Sequence, residues 1–108
     1  MTTEIKTDSY IRILKHPDSG LLADCHLPLY SGQLYGRGYR GLMRNLKSAL
    51  RTYLKENKEN PSSPKEIGIK SEPTRVEEVF DRYSSLSEKE LARIRKVLAK
   101  RIPGVTFC

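Results

Sequence analysis

The chain has 108 residues, a length for one small domain, and with 37% apolar residues its core must be lean. Twenty Lys and Arg against 13 Asp and Glu give a net charge of +7, which attracts polyanions: nucleic acid, an anionic membrane face or an acidic protein. No apolar run approaches the roughly 20 residues needed to span a bilayer, and the polar start Met1 to Ser9 lacks the apolar core of a secretory leader. Integral membrane insertion is therefore not expected, and the expected location is intracellular, cytoplasmic or nuclear, with Cys25 and Cys108 reduced.

In chain order, Tyr10 to Leu14 is apolar and β-prone. His16-Pro17-Asp18-Ser19-Gly20 follows with the chemistry of a turn: Pro presets φ, Asp bonds its own backbone and Gly accepts a positive φ. Leu21 to Leu29 alternates, with Leu21, Ala23, Cys25, Leu27 and Leu29 on one face and Asp24 and His26 on the other. The two segments predict a hairpin whose second strand is an edge, or ends, at Pro28, which has no N–H for a ladder. Tyr30 to Gly41, with four Gly, three Tyr and two Arg, reads as a loop.

Leu42, Leu46, Ala49, Leu50, Tyr53 and Leu54 recur at helical spacing and predict a helix from Leu42 to about Asn57. Asn57 to Pro73 carries Pro61, Pro64 and Pro73 and reads as a polar linker, with Ile67-Gly68-Ile69 a candidate third strand. Thr74 with Glu77, and Ser87 with Glu90, have capping-box spacing and mark two helix starts. Val76, Val79, Phe80, Tyr83 and Leu86 line one helix; Leu91, Ile94, Val97, Leu98 and Ile102 line the other, which Pro103-Gly104 stops. The expected fold is α+β in a single small domain. An N-terminal β-hairpin packs on a basic amphipathic helix (10–58), a polar linker or short strand follows (59–73), and a C-terminal helix pair ends it (74–102).

The middle helix carries the strongest functional signal. At 100° per residue, Arg40, Arg44, Lys47, Arg51, Lys55 and Lys58 fall within a sector of about 80°, away from the apolar stripe. The last helix repeats the arrangement with Lys89, Arg93, Lys96 and Lys100. An amphipathic helix must put something polar outward, and Lys and Arg are good helix formers. Few acids interrupt these sectors, however, so they lack the alternating pairs of a neutral solvated face. A line of cations can follow a phosphate backbone. Tyr35, Arg37, Tyr39 and Arg40 among the glycines add flat stacking surfaces and guanidinium forks suited to single strands.

Gly36-x-Gly38-x-x-Gly41 matches the dinucleotide fingerprint formally, but the chain is too short for two mononucleotide-binding halves. Backbone amides at that helix start suit a single phosphate. Lys55 to Asn60 holds two consecutive Lys-Glu-Asn tripeptides and resembles the KEN-box degron read by the cell-cycle ubiquitin ligase; Arg51-x-x-Leu54 looks like a minimal destruction box. The resemblance implies an exposed, flexible segment. Pro61-Ser62-Ser63-Pro64 has the spacing of a polyproline ligand, and Val105 to Cys108 loosely fits a C-terminus captured by strand addition.

No catalytic set is expected. Cys25 and His26 are adjacent on a strand and point to opposite faces, so they cannot pair as nucleophile and base. Two Cys and two His scattered in this way do not supply a zinc site, and no metal or cofactor is expected. Asp24 and His26 share a face with Asp18 nearby, and read as a polar strand face rather than an acid–base or metal site. The expectation is a small non-catalytic protein that binds RNA or DNA, chiefly single strands, with little sequence specificity. Its expected contacts are Tyr35, Arg37, Tyr39, Arg40, Arg44, Lys47, Arg51, Lys55, Lys58, Arg93, Lys96 and Lys100. The alternative is a protein–protein interaction or regulatory accessory factor, of viral type among others, that works through its helices or by oligomerising, with a protein partner or a homodimer.

Overall fold

A computed structural model describes residues 9–16, 18, 20–61, 63–71 and 83–108. The fold is mixed α+β: the described residues form a six-stranded sheet with two helices. β1 (Tyr10–His16) and β2 (Gly20–Leu27) form the expected antiparallel hairpin, in register from Tyr10↔His26 to His16↔Gly20. Pro28 does end β2, but it opens a tight turn with Leu29 rather than a long loop. The chain returns at once as β3 (Tyr30–Gly36), antiparallel to β2 from Leu27↔Tyr30 to Leu21↔Gly36.

The loop expected over Tyr30 to Gly41 is thus corrected to a strand and a short link. Its alternation is weak because glycines occupy two of the four inward positions, Gly32 and Gly36, leaving Tyr30 and Leu34 to pack on the core. Gly36 answers to close packing: a Cβ there would collide with the Leu42 backbone nitrogen.

α1 (Tyr39–Glu56) buries Leu42, Met43, Leu46, Leu50 and Tyr53, and starts ahead of its first stripe residue. β4 (Glu66–Lys70) is the candidate third strand, parallel to β1 with Ile11 opposite Ile69. β5 (Ser84–Ser85) pairs with Leu14 and Lys15 of β1. α2 (Glu88–Arg101) begins at the expected capping box: Ser87 Oγ accepts from Glu90 N–H at 3.2 Å, and Glu90 Oε1 accepts from Ser87 N–H at 2.9 Å. β6 (Thr106–Phe107) closes the sheet parallel to β4. The helix expected from Thr74 falls largely on 72–82, outside the described residues. Its expected last residues, Tyr83 and Leu86, flank strand β5 instead of lying on a helix.

The strand order is β3-β2-β1-β4-β6, with β5 beside β1. β3, β1, β4 and β6 all run the same way. The connections β3–α1–β4 and β4–α2–β6 therefore both join parallel strands and both cross the sheet in the same sense. Right-handed crossovers of one sense put their helices on one face, pointing the same way. One apolar cluster accordingly unites Ile11, Ile13, Ala23 and Cys25 of the sheet with Leu46 and Leu50 of α1 and Ile94 and Leu98 of α2. On the other face, Leu14 and Leu22 form a second small cluster with Tyr83 against it. Buried Ser71 ties the two-helix half to the hairpin, its Oγ donating to the Ile13 carbonyl at 2.5 Å and accepting from Leu86 N–H at 2.6 Å. Among the described residues, no helix is long and apolar enough to cross a membrane.

Candidate nucleic-acid interface

Two contacts fix how the helices sit. Near the start of α1, the Arg93 guanidinium of α2 lies over the Tyr39 ring, 4.6 Å from its centroid. Near the other end, Arg51 Nη2 donates to the Arg101 carbonyl at 3.2 Å. Early residues of α1 thus meet early residues of α2, and late meet late: the helices lie side by side and run in the same direction. Arg93 marks the flank of α2 that faces α1, and Lys100, seven residues on, returns to the same line, with Lys89 and Lys96 beside it. Arg51 marks the flank of α1 that faces α2, and Arg44 lies on its line while Arg40 and Lys47 share the adjacent one. The two cationic sectors therefore border one seam.

Arg40, Arg44, Arg51, Lys55, Lys58, Arg93, Lys96 and Lys100 are exposed, and Lys47 is half-buried. The ion pairs among the described residues lie elsewhere: Arg12–Asp24, Lys15–Glu90, His26–Asp24 and Arg95–Glu88. Glu88 and Glu90, the two acids in the first turn of α2, pair with Arg95 and Lys15 rather than with the cations of the two sectors. At the seam's far end, Leu54, Lys58, Lys65 and Pro103 border a cavity of about 300 Å³. At its near end, α1 starts from Gly38 with no side-chain cap and no acid in its first turn, and exposed Arg37 stands beside it.

The aromatic members separate. Tyr39 is held under Arg93, half-buried, its hydroxyl buried without a hydrogen-bond partner among the described residues. Tyr35 is 57% exposed but pairs with Leu22 on the sheet face opposite the helices, where its hydroxyl donates to Gln33 Oε1. Sequence reasoning misses Lys65, which borders the cavity at the seam's far end from just ahead of β4, and the Arg101 carbonyl, which accepts from Arg51; no periodic signal announces either.

The outer face carries the polar cluster. Asp24, buried, is 2.9 Å from His26 Nε2 and 3.6 Å from Arg12 Nη1. Tyr10 stacks on the His26 ring at 4.6 Å, and Lys70 Nζ lies 4.3 Å from the Tyr10 ring. Asp18 is in the β1–β2 turn, at the opposite end of the hairpin from His26, so the three do not meet. Cys25 faces the helices, and burial, reinforced by Asp24, pushes its thiol from 9.0 to about 12, which keeps it protonated. No group of three or more His, Cys, Asp or Glu that could hold a metal occurs among the described residues.

The first Lys-Glu-Asn tripeptide spans the last turn of α1, where Asn57 N–H and Nδ2 both donate to the Tyr53 carbonyl, and the second begins the turn that follows. Thr106 to Cys108 is already taken up by the sheet, with Cys108 N–H donating to Ile67 and Arg95 donating to the carbonyls of Cys108 and Ile69. No family model, no curated protein and no solved structure matches the chain.

Proposed function

We propose that the seam between α1 and α2 binds nucleic acid, single-stranded RNA or DNA, with little sequence preference. The observation that carries this reading is that the cations of both helices border one seam and none of them is in an ion pair among the described residues. Such a surface gains by releasing counterions from phosphates and, among the described residues, has no ion pair to break first. Arg40, Arg44, Lys47, Arg51, Lys55 and Lys58 from one side and Arg93, Lys96 and Lys100 from the other contact the backbone of the strand. Arg37 stands at the entrance, and Tyr39 steadies Arg93 from below. Tyr35, across the sheet, is out of reach of a strand in the seam and is dropped from the proposed contacts. The proposed contacts are Lys and Arg side chains, which suits backbone-dominated binding over sequence readout.

The test is fluorescence anisotropy with a labelled oligonucleotide at 50 and 200 mM salt. If about five phosphates are contacted, the single-strand slope is about −3.5, so affinity falls by about 100-fold between these two conditions. Arg44→Glu combined with Lys96→Glu, one exposed cation from each helix, removes binding at the higher salt. Lys70→Glu, on the outer face beside Tyr10, leaves binding intact. No binding even at low salt contradicts the proposal and favours the alternative, an interaction or regulatory factor working through its helices.

A further inference from the structure

The side of the molecule away from the seam has a different character. β3 is the terminal strand of the sheet, and among the described residues it pairs with β2 alone. The tight turn makes Leu27↔Tyr30 a hydrogen-bonded pair, so Gly32, Leu34 and Gly36 bond β2 while Ser31, Gln33 and Tyr35 point their N–H and C=O groups outward. The Tyr35 carbonyl accepts from Asn45 Nδ2 at 2.7 Å. Edge strands are ordinarily blunted by Lys, Pro or a bulge. The sequence of β3, YSGQLYG, has no charge and no proline, and its register is unbroken. The two large apolar side chains that stand exposed among the described residues, Leu29 at 80% and Tyr35 at 57%, both lie along this edge. Leu29 is moreover at φ 65°, a turn position where glycine or asparagine is the ordinary choice. Between the edge and α1 runs a groove of about 460 Å³, bordered by Leu29, Leu34, Asn45, Ser48, Ala49 and Thr52, with Glu56 its one charged lining residue.

We propose that β3 pairs antiparallel with β3 of a second copy of this chain, about a two-fold axis at Gln33, joining the two sheets into one. Gln33 is the middle of the three outward-facing residues, so this register alone engages all three on both copies, with Ser31 opposite Tyr35 of the partner. The axis runs near Ser48 and Ala49, because Asn45 sits at the level of Tyr35 and Tyr53 Oη donates to the Pro28 carbonyl at 2.7 Å. Small side chains there let the two α1 helices approach.

Charge selects a second copy over another strand. The pairing puts Leu29 opposite Arg37, and Glu56 borders the same end of the groove as Leu29. Glu56 and Gly41 are equidistant from the Ser48–Ala49 midpoint, so Glu56 comes to the start of the partner's α1. That helix end has no acid in its first turn and no side-chain cap, and it carries Arg37. The one acid on the groove thus meets the positive helix end that lacks one, twice, by symmetry. The cationic seams remain on the far flanks, out of each other's way.

Sedimentation velocity is the test. The unmodified chain is expected at twice its 12.4 kDa mass. Gln33→Pro removes an outward N–H while sparing the bonds to β2, and runs at the single-chain mass. Glu56→Arg also dissociates the pair, and adding Arg37→Glu to it restores the doubled mass, a rescue that a merely structural role would not produce. Ser31 and Gln33 amides resist hydrogen exchange in the unmodified chain; the Ser31 amide loses that protection in both Gln33→Pro and Glu56→Arg, and the Gln33 amide loses it in Glu56→Arg. A single-chain mass for the unmodified protein, or a doubled mass that survives both Gln33→Pro and Glu56→Arg, overturns the proposal.

Discussion

Gly36 and Gly41 belong to the same glycine pattern and yet have opposite roles. A Cβ on Gly36 runs into backbone, whereas on Gly41 its nearest neighbour is the Gly36 Cα at an ordinary 3.7 Å. Gly36→Ala is therefore expected to cost about 1–3 kcal/mol through overpacking. Gly41→Ala, in the first turn of α1, is expected to gain about 0.5–1 kcal/mol in helix propensity. Thermal unfolding of the two variants checks both signs. The spacing that imitates a dinucleotide fingerprint is explained by one tight strand-to-helix passage, which no count of glycines reveals. The cysteines divide similarly. Cys108 is exposed and Cys25 is buried, so a thiol reagent at neutral pH should modify Cys108 quickly and Cys25 only on unfolding. Because the folded pKa of Cys25 is raised, the folded state holds its proton where the unfolded chain releases it. Its contribution is complete below pH 9.0 and is lost as pH rises toward about 12. Alkaline denaturation should show that window, and Cys25→Ala should lack it.

At the level of elements, α2 is the clearest case of sequence announcing structure. Ser87 and Glu90 at capping-box spacing form both reciprocal bonds. Ser87→Ala should cost about 1 kcal/mol, lowering the melting temperature by about 4–8 °C. The bond from Ser87 N–H, together with Lys15, holds the Glu90 carboxyl below its ordinary 4.5. A lowered folded pKa contributes stability above 4.5 and loses it as pH falls through the folded value. The Glu90→Gln deficit expected at neutral pH should therefore shrink in acid. β1, β2 and most of α1 are legible too, from β-propensity, alternation and helical recurrence in turn, whereas β4 reads only as a candidate strand within a polar stretch. β3 is not, because an edge strand has one buried face and glycines hold half of its inward positions. β5 and β6 are too short for any period to register.

For the whole molecule, the cations themselves were readable from helical spacing, but their convergence was not. It depends on β3 being a strand: only then does α1 become a crossover between parallel strands, on the same face as α2 and pointing the same way. The same misreading grouped Tyr35 with the cations, whereas strand alternation turns it to the opposite face. The seam and the uncharged β3 strand occupy opposite flanks of α1, so the exposed cations of the two helices lie where a polyanion would bind rather than along the strand where a second copy would pair. Amide chemical-shift mapping during titration with a short single strand tests the central claim most directly. The account predicts shifts concentrated along Arg40–Lys58 and Lys89–Arg101, weakening as salt is added. Shifts confined to the Tyr10, His26 and Lys70 face, or none at low salt, would contradict it.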